Sequence, residues 1–274
     1  MKILEIKSVS EYVKTVCDSN NEILSLDPGA TLLFRGQPNM QDVLLPSLGR
    51  IGANSCALIT EESNMVEMAK YKLPTVFRRD LEPIELLALL QHHGIPTRLL
   101  DVSANALVAL YFAVHGKEED REDDGEVLVF KTSDIDISNY GMINTICDSY
   151  RHGKEHSRQE LESLYEFCKN PIFAYAPSYS LRQNIQSGRY ILFANKIVYE
   201  DGEYRMEDEI EPISKEHDSV VCRLIIPSHV KEEICKDLRL LGVSKELLFL
   251  DNTDMVCGEI RDRYSERISK NTAN

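Results

Sequence analysis

The chain has 274 residues, of which 43% are hydrophobic and 28% charged, enough apolar material for one sizeable core. Its 45 acidic residues against 31 basic ones leave a net charge of −14. A surface of that sign repels phosphate backbones, which argues against broad, sequence-independent nucleic-acid binding. The longest apolar run, Ala106–Val114, is about half of what a bilayer crossing needs. The charged start Met1-Lys2-Ile3-Leu4-Glu5-Ile6-Lys7 does not read as a secretory signal, so a cytoplasmic protein with no membrane partner is expected. The seven cysteines (17, 56, 147, 168, 222, 235, 257) are scattered without a Cys-x-x-Cys, which suits reduced thiols and no disulfide framework.

Residues 2–6 alternate as a short strand, and Ser8 with Glu11 makes a capping box for a helix to about residue 19. Asp27-Pro28-Gly29-Ala30 is a turn, and residues 31–36 form a strand that stops at Gly36. Helices are predicted over 60–71 and over 83–93, the second opened by Pro83 and capped by Gly94. Pro96 pushes Ile95 out of helical space, so 95–101 is extended. Ser103 is placed to cap a helix over 104–115, closed by Gly116. A charge-dense loop leads to a strand over 126–131, and 133–170 reads as a helical insertion. Strands follow at 190–193 and 220–226, then a helix from Ser228 to Leu241 and a last helix over 253–268. Strands and helices mix without regular βα alternation, so the expected class is α+β in a single domain over 1–274, with an N-terminal strand and helix in 1–30.

Two segments could carry chemistry. Phe34-Arg35-Gly36-Gln37 puts an arginine at a strand end, where its planar fork suits a phosphate and the glycine lets a ligand approach. On this short motif alone, an exposed arginine in an ordinary turn is much the better explanation. The segment from Gln91 to Ser103 sets Gln91, His92, His93, Thr97, Arg98, Asp101 and Ser103 between two apolar helices. Buried polar groups need partners, so it is either a site or a structural tie in which Arg98 pairs with Asp101. Arg35, Arg50, Arg78, Arg79, Arg98, Arg182 and Arg189 are candidates to converge on one small anionic ligand. His152 and His156, with Cys147 and Cys168 near them, are interrupted by Gly153 and read as a solvated face; no metal is expected.

In their order along the chain, Phe34-Arg35-Gly36-Gln37, Leu45-Pro46-Ser47-Leu48-Gly49-Arg50, the Gln91 to Asp101 segment running into Ala109-Leu110-Tyr111-Phe112-Ala113, and Leu181-Arg182-Gln183-Asn184-Ile185-Gln186-Ser187-Gly188-Arg189-Tyr190 resemble the FRG domain family, over residues 33–260. The chain departs from that pattern at His93, Val102, Ser103 and Ala106, where tyrosine, tryptophan, threonine and proline are usual. The strand ending in aromatic-Arg-Gly also resembles the first NAD⁺-binding strand of ADP-ribosyltransferases.

That second resemblance implies a split or strongly bent mixed sheet, NAD as substrate, a macromolecular acceptor of unknown identity, and ADP-ribosyl transfer or NAD cleavage. Bacterial toxins and anti-phage effectors are its usual settings. Carried over residue by residue, it puts Arg35 at the cofactor's phosphates, Ser103 and Arg98 at its ribose, and His92 or Gln186 at the reacting centre. Gly36, Gln37 and Asp101 are expected to bind the cofactor as well. Its Glu-x-Glu element has a weak counterpart in Glu207-Asp208-Glu209, inside an acidic stretch, 203–216, that reads as a solvated loop. Gln186 stands where the FRG family has its glutamine, and a glutamine cannot supply negative charge. The alternative is a non-catalytic nucleotide sensor or protein-interaction module.

Overall fold

The structure, a computed structural model, describes residues 1–50, 58–116, 120–133, 140–149, 156–176 and 181–249. The predicted last helix (253–268), His152, Cys56 and Cys257 lie outside them. Helix α1 (Val9–Leu26) is capped by Ser8 as expected, Ser8 Oγ accepting the Glu11 N–H at 3.2 Å, but the Glu11 carboxylate reaches back one residue further, to the Lys7 N–H at 2.9 Å, so the box is not closed on Ser8. It runs seven residues past the expected end. Pro28 stops it by holding Asp27 at φ −145°, ψ 89°.

Nine strands are described: β1 (Lys2–Glu5), β2 (Ala30–Gln37), β3 (Leu99–Ser103), β4 (Gly125–Ser133), β5 (Ile172–Ala174), β6 (Gly188–Leu192), β7 (Ile197–Glu200), β8 (Glu203–Met206) and β9 (Val220–Ile226). Seven form a mixed sheet in the order β1-β9-β4-β2-β3-β6-β5, and β7 pairs β8 in a separate hairpin. β1 runs parallel to β9 and the other neighbours are antiparallel. β2 pairs β4 along its whole length, from Ala30 opposite Ser133 to Gln37 opposite Glu126. Its join to β3 is a single pair, Phe34 opposite Ser103. The α+β class is as expected, and among the described residues the sheet is all but divided between β2 and β3.

The other described α-helices are α2 (Glu62–Lys72), α3 (Pro83–His92), α4 (Ala106–Val114), α5 (Tyr140–Cys147), α6 (Arg158–Phe167), α7 (Leu181–Ile185), α8 (Lys231–Leu240) and α9 (Lys245–Leu248). One face of the sheet carries two apolar clusters side by side. α1, α4 and α8 cover Leu32, Phe34, Val127, Val129 and Leu224; α3 and α5 cover Leu99, Tyr190 and Leu192. On the other face Leu44, Leu45, Leu48, Ile59 and Ile210 close over Leu33, Leu100, Leu128, Phe130 and Ile191. Strand alternation decides these faces.

α4, apolar almost throughout, lies directly on the sheet backbone. A Cβ on Gly36 would stand 1.8 Å from the Ala109 carbonyl oxygen, and one on Gly125 2.1 Å from that of Ala113. Glycine at 36 is therefore required by helix packing. Its cap also differs from expectation. Asn105, not Ser103, caps α4, its side chain accepting the Leu107 N–H at 3.0 Å, and the helix starts at Ala106.

Other boundaries shift locally. Ser228–Val230 is a 3-10 turn and α8 begins at Lys231, while Gly242, at φ +82°, follows its end. The start of the acidic stretch at 203–216 is not loop: Asp201-Gly202, at φ 52° and 84°, turns β7 into β8.

Gly36→Ala should destabilise by about 1–3 kcal/mol or more, because the methyl group meets helix backbone. Gly141→Ala, in α5 with nothing within 4 Å, should be neutral or gain up to about 1 kcal/mol from helix propensity. Urea unfolding of both variants checks the contrast.

Candidate functional site

A cleft opens on the helix-bearing face where the two apolar clusters meet. Its main hollow, 280 Å³, has an apolar wall of Phe34, Val108, Ala109 and Phe112 and a polar wall of Arg35, Asp101, Arg182, Gln186 and His115. A 70 Å³ hollow adjoins it, lined by Gln91, His92, Gln183 and Tyr190, and shares Asp101, Arg182, Gln186 and Gly188 with the first.

The local fold explains each side chain. Beyond the Phe34–Ser103 pair the β2–β3 ladder does not continue, and the Asp101 carbonyl accepts from Arg35 Nη1 at 2.6 Å. Asp101 shares the helix-side face of β3 with Leu99 and Ser103, so its carboxylate enters the cleft. Arg182 comes from α7 and lies over the Phe249 ring at 4.5 Å.

Arg35 is the unusual member: on β2 it shares the face of Leu33 and Leu128, away from α4, and it meets the hollow where β2 and β3 part. Its Nε is buried with no hydrogen-bond partner, and among the described residues Arg35 makes no ion pair. Burial pulls its pKa down to about 10, against the attraction of Asp101. Burial likewise raises the Asp101 pKa, opposed by Arg35, Arg182 and a side-chain hydrogen bond from Gln91. Solvent reaches Asp101 from the open side of the cleft. His115 stacks on Tyr111 at 3.9 Å, and burial lowers its pKa, which favours a neutral ring.

Of the residues singled out from the sequence, Arg35, Gly36, Asp101, Ser103 and Gln186 line the main hollow and His92 the smaller one. Ser103 Oγ is engaged, donating to the Gln186 carbonyl at 2.6 Å and accepting the Asn105 N–H at 2.9 Å. Gln186 Nε2 donates to the Leu248 carbonyl at 3.0 Å. Gln37 is buried outside the cleft and donates to the Asp42 carbonyl.

Arg98 lies in the core, and its expected pairing with Asp101 is overturned. Its Nε donates to Glu62 Oε1 at 2.9 Å, its Nη2 to Glu62 Oε2, and its Nη1 to Asn195 Oδ1 at 3.0 Å. With Arg98 1% and Glu62 2% exposed, this is a structural pair. Glu207 and Glu209 surround Lys196 with Glu211, and neither lines the cleft. Of the seven arginines, only Arg35 and Arg182 line it.

Two contributors had no place in the NAD assignment. Arg182 was expected only as one of seven arginines that could converge on an anion. Gln91 stood in the second segment, but its contact with Asp101 depends on the end of α3 meeting the middle of β3.

Residues 30–122 match the family model of the FRG domain, a span from β2 past α4 that holds Arg35, Gln91 and Asp101 but not Arg182 or Gln186. No curated protein and no solved structure matches the chain.

Glu62→Ala should cost about 3–5 kcal/mol, because it leaves the Arg98 guanidinium buried and unpaired. Asp101→Asn should keep or raise the melting temperature at pH 7. The folded-state pKa of Asp101 is raised, so its ionised form costs stability above that pKa, and the cost vanishes as pH falls. The gap between wild type and Asp101→Asn should therefore narrow in acid, as thermal melts across pH would show.

Proposed function

With an FRG domain over residues 30–122 as the premise, we propose that the cleft binds NAD and breaks its nicotinamide glycosidic bond, releasing nicotinamide and passing ADP-ribose to water or to an acceptor. The observation that carries this reading is Arg35, a partly exposed guanidinium whose buried Nε has no hydrogen-bond partner and which makes no ion pair among the described residues. Asp101, Asp42 and Glu126 attract this cation without pairing with it directly, so an arriving anion would supply the missing partner. The free edge of Arg35 offers a phosphate parallel hydrogen bonds.

The rest of the lining supports the same ligand. Arg182 adds a second positive charge, matched to the two negative charges of a dinucleotide pyrophosphate. Phe34, Val108 and Phe112 provide an apolar wall for a flat ring. The hollow lies near the small end of ligand pockets, about 300–1,000 Å³. It suits the nicotinamide half, with the adenosine half toward the surface.

One observation favours binding without turnover. The Ser103 hydroxyl and the Gln186 amide already bond protein carbonyls, and neither brings charge to a reacting carbon. In that reading the chain is a nucleotide sensor or an interaction module.

The test uses NAD labelled in its nicotinamide ring. Wild type should release labelled nicotinamide, while Arg35→Ala should weaken NAD binding about 10–100-fold, the worth of one or two charge-assisted hydrogen bonds, and keep its melting temperature. Equal affinity in wild type and Arg35→Ala, by calorimetry, would remove the basis of the assignment. Binding without release would favour the sensor.

A further inference from the structure

The reaction proposed for the cleft needs negative charge at one place. When the glycosidic bond breaks, its electron pair goes to the nicotinamide nitrogen and neutralises the pyridinium. The ribose is left as an oxocarbenium cation. An oxygen of water or of an acceptor hydroxyl then adds to that carbon and loses its proton, so the step balances without an oxidant or reductant. A fixed carboxylate beside the carbon stabilises the cation.

Gln186 is neutral, and the carboxylates of 207 and 209 lie on Lys196, outside the cleft. Among the described residues lining either hollow, the one acidic side chain is Asp101, and it belongs to both. It sits between buried Leu100 and Val102, opposite Tyr190. Its neighbours Leu100 and Val102 are buried on the other face, while Asp101 itself is exposed to the cleft. Its aim is set by a relay through buried Thr97. The Thr97 hydroxyl accepts the Leu99 N–H at 3.2 Å and donates to Gln91 Oε1. That fixes which end of the amide is left to face Asp101, the NH₂ end, which favours the ionised carboxylate.

On the NAD-cleaving reading above, we infer that Asp101 is the catalytic carboxylate facing the reacting ribose carbon, and that Gln91, oriented by Thr97, is the positioning residue that aims it. Arg35 and Arg182 flank the carboxylate and hold the phosphates close by, so one charged group serves the cation and two serve the anion. The raised pKa of Asp101 also equips it to take the proton that the attacking oxygen loses.

The experiment compares wild type, Asp101→Asn and Gln91→Ala, each confirmed folded by circular dichroism, for NAD affinity by calorimetry and for nicotinamide release across pH. Asp101→Asn should bind NAD as well as wild type or better and lose about 100–1,000-fold in kcat, the range for removing one preorganised electrostatic group. Gln91→Ala should lose less. Its acid limb in kcat should move to higher pH, because the hydrogen bond that favours the ionised carboxylate is gone; a merely structural role for Gln91 would lower stability and leave that limb in place. If wild type cleaves NAD and Asp101→Asn cleaves it as fast, Asp101 is not the catalytic carboxylate while NAD cleavage stands. If wild type binds NAD yet releases no nicotinamide with or without added acceptors, NAD cleavage falls and the role of Asp101 falls with it.

Discussion

The close seating of α4 on the backbone of β2 and β4 shapes the cleft. With hydrogen in place of a side chain at Gly36 and Gly125, the helix descends onto the sheet until its carbonyls touch the strands. Asn105, the residue that starts α4, is tied to Ser103 at the end of β3. The helix therefore holds the end of β3 beside the middle of β2 at one pair, Phe34 and Ser103. The two strands leave each other at that point. A continued ladder would have engaged the Asp101 carbonyl; here the Arg35 side chain takes it, which anchors one edge of the guanidinium and leaves the Nε edge unsatisfied. The division of the sheet and the open arginine have the same origin.

The treatment of buried charges elsewhere sets Arg35 apart. Arg98 is met by both oxygens of Glu62. Glu126, fully buried, receives Arg223 on one oxygen and Lys215 on the other. Lys231 donates to the Pro38 and Asp120 carbonyls, with Asp120, Asp123 and Asp124 near it. In a chain with 45 acidic residues, counter-charges are plentiful, and the fold supplies them wherever a cation is structural. A ligand anion is the natural completion for the one that sits in the cleft.

Much of this was legible in the sequence, for physical reasons that vary by element. The cap at Ser8, the apolar run of α4, and Pro83 and Gly94 around α3 are local signals, and each marked its element. The β7–β8 hairpin was also signalled, by Asp201-Gly202 between alternating segments, but the acidic side chains around it read as solvated loop. Strand parity alone puts Asp101 on the face of Leu99 and Ser103. The partner of Arg98 could not be read, because Glu62 lies 36 positions away and only the tertiary fold brings them together. A neighbour three residues along the chain was the nearer guess, and on an extended segment i and i+3 point to opposite faces.

The most direct measurement of the central claim is a crystal structure of the protein with carba-NAD, whose carbocyclic ribose cannot lose nicotinamide. The account predicts the pyrophosphate on the free edge of Arg35 and within reach of Arg182, the ring against Phe34 and Phe112, and the carbon that bears nicotinamide facing the Asp101 carboxylate. A ligand seated in any other hollow, or an Arg35 Nε left unpartnered in crystals saturated with the analogue, would contradict it.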